Sequence, residues 1–422
     1  MRAQHTTHPL PAFPVYSCAF VAPDQMVVGG GGGAAKTGIK NKLRLFNISQ
    51  DRQLKMLCEH ELEKGEDAPM SISAHPESRS FVCGINSSEE CLKRGENENC
   101  RVFSINDSGN TLIKGATRGT LPSGALEDYQ RVTVISPDGK LLAVAGERDL
   151  SLLSFPSLSP VVQSVQVPKG EIYDVTFSST HLVLATSLNL LVYALPKPPS
   201  EDSDEKTPKK KKSKQKGKGK EKEVHSRTPS QTPELRLVDT IDVPSVPGAP
   251  AQSVVTFRAA RFHPSDFSTL FTAVNTAAPR AKKSKMAKMQ AYILKWRVDL
   301  NGEQKSARPI SMEGSRKAGE GGLTCFDVSP NGKFLAFGSS DYSLGMLDST
   351  TLSPLLSILK AHEFPITTVR FSPTSTMLVS GGVDNSIRIV TVPEKFAGQP
   401  WTMIILIILA LLAILVAFLL QK

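Results

Sequence analysis

The 422-residue chain is poor in aromatic residues, at 6%, and has two tryptophans. Sites that stack single-stranded nucleic acid need aromatics interleaved with basic residues, so the composition gives such a site no platform. The six cysteines, at 18, 58, 83, 91, 100 and 325, include no C-x-x-C pair. That spacing gives no zinc or redox motif and no disulfide framework for a chain this long, and it fits a reduced compartment. The eight histidines show no H-E-x-x-H spacing, and no G-x-S-x-G elbow occurs, which leaves hydrolase and transferase chemistry without support. The N-terminus, MRAQHTTHPLPAFPVYSCAF, has no signal-peptide core, because Pro9, Pro11 and Pro14 interrupt it. Long apolar runs are absent with one exception.

That exception is Thr402–Leu420, TMIILIILALLAILVAFLL, 19 residues without a charge, glycine or proline. As a helix it would span roughly 28 Å, the thickness of a hydrocarbon core. Trp401 stands at its edge, where an amphipathic ring suits the interface. No polar face runs along it, as a buried core helix would require. The expected topology is a large cytosolic domain, residues 1–395, held by a single C-terminal transmembrane helix at 402–420. The sequons at Asn47, Asn86 and Asn106 should then carry no sugar. The short span and tiny overhang suit the thin endoplasmic reticulum membrane.

The net charge is +10, but Lys197–Pro233 alone holds 12 basic and 6 acidic residues, leaving only +4 for the rest. The bulk of the chain is therefore near neutral, and no nucleic-acid partner is expected. The Lys-rich stretch reads as a disordered insert between a fourth and a fifth repeat unit. Contact of its Lys209–Lys222 run with acidic lipid or nucleic acid is the functional alternative. Thr207, Thr228 and Thr232 each precede proline and are candidate phosphorylation sites. A second basic insert, 279–289, interrupts the fifth unit.

What the chain has in abundance is one pattern of short strands. Leu323–Leu347, LTCFDVSPNGKFLAFGSSDYSLGML, aligns without a gap on Ile366–Val390, ITTVRFSPTSTMLVSGGVDNSIRIV. Pro330 and Pro373 are 43 residues apart, as are Asp341 and Asp384. Fainter copies run over Val15–Phe46, Met70–Phe103, Val132–Leu153, Ile172–Tyr193 and Ala259–Trp296. A period of this length fits the blades of a β-propeller of the WD-repeat kind, although the WD dipeptide is absent. The expectation is an all-β, seven-bladed propeller. Pro9–Phe13 is expected to add the outer strand of the last blade and close the ring. His75 and His263 precede proline in blade turns, and His362 sits where WD repeats place an inter-blade histidine.

One local feature is unusual: Gly29–Gly33 is five consecutive glycines, followed by AAKTGIKNKLRLF. Ordering five glycines has a high entropic cost, so a close backbone approach to a partner or ion should compensate. A phosphate-binding P-loop is excluded. Ala35 stands where that motif needs glycine before Lys36, and Lys42–Ile48 alternates as a strand where the motif needs a helix.

The stretch GGGGG-AAKTG-IKN-KLRLF in the first unit of seven, with one C-terminal span, resembles the Sec-twelve family. The resemblance covers the chain outside the two inserts. It implies a guanine-nucleotide exchange factor that stimulates GDP release from a Sar-type small GTPase at the endoplasmic reticulum and starts COPII coat assembly. It also implies a potassium ion in the loop. Residue by residue, the implied exchange loop is Gly30, Gly31, Gly32, Gly33, Ala34, Ala35, Lys36, Thr37, Gly38 and Asn41. The potassium ion would be held by the backbone of Gly29–Lys42 with Asn41, whose side chain either adds an oxygen or bonds the loop. Such exchange is differential binding and breaks no covalent bond. Lys40 stands where relatives often have proline, and the large lumenal region of some members is not expected here. The alternative is a tail-anchored propeller scaffold that recruits trafficking proteins without acting on nucleotide.

Overall fold

Both faces of each sheet are covered in this chain, and that explains its apolar runs. The strands His181–Thr186 and Phe334–Ser339 are buried at every position, as expected of sheets packed on two sides. The structure, a computed structural model, describes residues 4–35, 37–122, 125–196, 232–279, 289–299, 310–394, 396 and 409–412. Among these, the strands form seven four-stranded antiparallel sheets. Their innermost strands adjoin one another in a closed ring, the first of blade one meeting the first of blades two and seven. Seven hydrophobic clusters each fill the gap between one pair of neighbouring blades. In the gap between blades one and two, Phe81 stacks on Phe103 at 5.5 Å, packed with Leu43 and Leu45. The seven-bladed propeller expected from the spacing is the observed fold.

Two details differ from the sequence reading. The closing strand is His5–Pro9, paired with Ser386–Thr391 from His5↔Val390 to Pro9↔Ser386. Pro9–Phe13 cannot serve, because Leu10 and Phe13 are buried between blades seven and one. The stretch from Leu10 is instead the crossover into blade one. The Lys-rich insert does not join blades four and five. It interrupts blade four, since its flanking strands Asn189–Ala194 and Arg236–Asp242 pair with each other. The second of these is an edge strand with exposed Leu237 and Val238, so it lacks the apolar signature of a repeat strand.

Most of that insert (197–231) and of the second one (280–288) lies outside the described residues, as does most of the 402–420 span. Residues 409–412 are helical and exposed. No helix among the described residues is long and apolar enough to cross a membrane. All six cysteines are unpaired. Burial pushes the Cys100 and Cys325 thiols up to about 12, which makes them packing groups without nucleophilic character.

Candidate functional site

The glycine-rich segment closes the hairpin between the second and third strands of blade one. Gln25–Gly30 pairs with Lys42–Ile48, ending at Gly30↔Lys42, and Val15 of the inner strand lies across from Gly30. The loop is therefore residues 31–41. Its base is tight. A Cβ on Gly30 would come within 2.4 Å of the Pro14 carbonyl oxygen and 2.8 Å of the Phe13 ring. Gly31 has φ +138, and a Cβ there would meet Asn41 Oδ1 at 2.3 Å. These two glycines are required by backbone approach, and both are buried.

Asn41 ties the loop together. Its Oδ1 accepts the Gly33 N–H at 2.9 Å. Its Nδ2 donates to the Gly33 carbonyl at 3.0 Å and to the Glu66 carbonyl at 2.8 Å. Its own carbonyl accepts the Leu62 N–H at 2.9 Å. One carboxamide thus fixes both strands of the loop and docks them on the connection to blade two. Of the two roles open to Asn41, these bonds fill the backbone-bonding one.

The connection to blade two is itself anchored. Glu66 Oε1 accepts from Arg101 Nη1 at 2.5 Å, with both side chains nearly buried at 10% and 3% exposure. Glu66 Oε2 accepts the Glu63 N–H at 2.9 Å. A buried pair of this kind positions the backbone more than it stabilises the fold. Beside it, Ser17 Oγ donates to the Pro69 carbonyl at 2.5 Å.

Asp67 forms the floor under the loop. Its carboxylate accepts the backbone N–H groups of Ala68 and Ala34. A Cβ on Gly33 would lie 3.6 Å from Asp67 Oδ1 and 3.8 Å from the Tyr16 hydroxyl. Burial pushes the Asp67 carboxyl above the usual range. Burial, reinforced by the Asp67 charge, pushes the Tyr16 phenol up as well. No cationic side chain among the described residues pairs with Asp67. No group of three or more His, Cys, Asp or Glu side chains gathers for a metal among the described residues.

Of the residues singled out in the sequence, Gly30 and Gly31 form the buried base, Gly32 and Gly33 are half-buried, and Ala34, Ala35, Thr37 and Gly38 form an exposed tip. Lys36 lies outside the described residues. Lys40 is exposed and pairs with Glu61 at 2.5 Å, a surface contact of small energetic weight. Tyr16, Glu66, Asp67 and Arg101 escaped the sequence reading. They come from other strands and from the next connection, and no local motif marks them.

The comparisons agree with this architecture. Residues 353–390 match the model for the WD domain, G-beta repeat. A Candida glabrata protein, guanine nucleotide-exchange factor SEC12, is 30% identical over 141 residues, covering 32% of this chain and 30% of the relative. An Arabidopsis thaliana protein, SEC12-like protein 2, is 34% identical over 73 residues, covering 17% of this chain and 19% of the relative. Over these segments the chain is similar to members of the Sec-twelve family. Its matches to these Sec-twelve relatives span less than a third of their lengths. Among solved structures, Chaetomium thermophilum Raptor superposes with a TM-score of 0.57 at 11% identity, over 93% of this chain and 29% of that one. That likeness is one of fold alone.

Proposed function

We propose that this chain is a guanine-nucleotide exchange factor that stimulates GDP release from a Sar-type small GTPase at the endoplasmic reticulum membrane, starting COPII coat assembly. The similarity to the Candida glabrata guanine nucleotide-exchange factor supports exchange activity. The observation that carries the reading is the braced loop: a small-residue tip projects from the propeller while Asn41 fixes its base. Small GTPases hold GDP through a phosphate-cradling loop, magnesium and ordered switches. A partner that prefers the empty GTPase must weaken nucleotide binding by the same factor. A loop ordered in advance supplies that preference with little entropy lost on contact. The small tip admits close approach of main chain to the GTPase, and no covalent chemistry is required.

A potassium ion, when bound, supplies a positive charge that offsets Asp67 and stiffens the loop. The Asp67 carboxylate and main-chain carbonyls of 29–42 would hold it, with Asn41 bracing the backbone around it.

The membrane topology is compatible with this reading. The strand Ser386–Thr391 runs from the loop end of the propeller to the opposite end, where Thr391 pairs with Met377. Beyond it, Phe396 packs on Phe334 with ring centroids 5.6 Å apart. A span at 402–420 would leave from that opposite end, so the tip faces away from the bilayer and stays open to the GTPase.

The test uses the full chain reconstituted in liposomes and a Sar-type GTPase loaded with fluorescent GDP, in potassium and again in sodium. Release about 10- to 100-fold faster than the intrinsic rate is expected, and faster in potassium. Binding without faster release would establish the scaffold reading instead.

A further inference from the structure

The described residues of the tip, Ala34, Ala35, Thr37 and Gly38, offer little surface of their own. A specific protein–protein interface buries roughly 800 Å² per partner. The remaining footprint must lie on the same end of the propeller. That end carries a second exposed feature, the connection from blade six into blade seven. Its residues Leu359 and Phe364 are 79% and 52% exposed. Exposed apolar side chains gathered at one place mark an interaction site, and phenylalanine is enriched at interface cores.

Their support is rigid. Between them, Ala361 and His362 are buried. His362 Nδ1 lies 3.0 Å from Asp384 Oδ2, and its Nε2 lies 2.9 Å from Ser380 Oγ. Asp384 also accepts the Glu363 N–H at 2.9 Å, and Arg388 Nε donates to the Ala361 carbonyl at 2.8 Å. This lock uses the inner residues of the segment only. Nothing in it requires leucine or phenylalanine at the two exposed positions.

The segment is also continuous with the glycine-rich loop. It leads into Ile366, which pairs with Gly382 as Val15 pairs with Gly30. Thr367 Oγ1 donates to the Val15 carbonyl at 2.7 Å, and the Gly31 N–H donates to the neighbouring Pro14 carbonyl at 3.0 Å. Blade seven and the loop base are therefore joined by hydrogen bonds to adjacent residues, Val15 and Pro14. We infer that Leu359 and Phe364 are a second docking point for the same small GTPase, gripping an apolar patch beside its nucleotide pocket while the loop tip acts on the pocket itself. This inference rests on the exchange reading above and extends it from the loop to the partner's footprint.

The division of labour is testable on the full chain in liposomes with a nucleotide-free Sar-type GTPase and with its GDP form. The double variant Leu359→Ser, Phe364→Ser should bind the nucleotide-free form and the GDP form of the GTPase more weakly by an equal factor, roughly tenfold or more. Its GDP release at saturating GTPase and its melting temperature should match the parent. Leu126, 50% exposed on the connection from blade two to blade three, is the control; Leu126→Ser should leave binding unchanged. Unchanged binding by the double variant, with an active parent, overturns the inference and leaves the exchange reading intact. So does a loss confined to Leu126→Ser. A parent that neither binds nor releases nucleotide overturns both.

Discussion

The second hairpins of blades one and seven begin alike and end differently. Each second strand ends in a glycine pair, Gly29–Gly30 and Gly381–Gly382, packed close against a neighbour. In blade seven, residues 383–385 turn at once, and the Asp384 carboxylate accepts the Ser386 and Glu363 N–H groups while facing His362. In blade one the chain runs out through residues 31–41, and Asn41 braces it against the connection that follows. One side chain organises each turn. In blade seven it locks a buried network, so its contribution is to stability. In blade one it holds an exposed tip, so its contribution is to what the tip can do. The same hairpin position serves as a rivet or as an effector, according to the length of chain between the strands.

The comparison breaks first at Asn41. Asn41→Ala removes the bonds to Gly33 and Glu66, and GDP release by the full chain should fall about 10- to 100-fold. The melting temperature should move by only a few degrees, because the loop is peripheral to the blade cores. Release unchanged in the variant would show that the loop needs no brace. Gly31→Ala should reproduce the defect, since its Cβ would enter the space of Asn41 Oδ1.

His362→Ala is the mirror image. It leaves Asp384 and Ser380 without their buried partner, which should lower stability by about 1–3 kcal/mol in urea. Release per folded molecule at saturating GTPase should stay at the parental rate. The pH dependence carries a sign. Burial, outweighing the pull of Asp384, holds the His362 imidazole below its ordinary value. Its share of stability is present above the unfolded-state value of about 6.5 and is lost as pH falls toward the lower folded value. The variant should therefore lose part of the parent's acid sensitivity. An equal acid response in both proteins would remove His362 from the titration.

The two hairpins were unequally legible in sequence. Blade seven repeats blade six at 43 residues with matching proline and aspartate, because packed sheets of fixed size impose a fixed spacing. The five glycines were conspicuous for a related reason, since only a backbone constraint tolerates them. The floor of the loop was not legible. Asp67 and Glu66 sit in an ordinary polar connection, and their meaning appears only once the fold brings Arg101 to Glu66 and the Ala34 N–H to Asp67. The outer strands His5–Pro9 and Arg236–Asp242 were hidden as well. Each is buried on neither edge nor face to the degree that writes an apolar pattern into sequence.

Asp67 gives the smallest effect and the sharpest view of what the blade-one hairpin needs. Its carboxyl is raised by burial, so the folded protein holds that proton more tightly than the unfolded chain. The contribution to stability is greatest at low pH and falls as pH rises through the raised folded value. At neutral pH the ionised carboxylate is a liability that a bound cation would offset. Asp67→Asn removes the charge while keeping an acceptor for the Ala34 and Ala68 N–H groups. In sodium the variant should melt at the parent's temperature or a degree or two above it. Exchanging sodium for potassium should raise the melting temperature of the parent by a similar amount and leave that of the variant unmoved. A variant that still responds to potassium would mean that the loop's carbonyls hold the ion unaided, and that the two hairpins differ in their backbone alone.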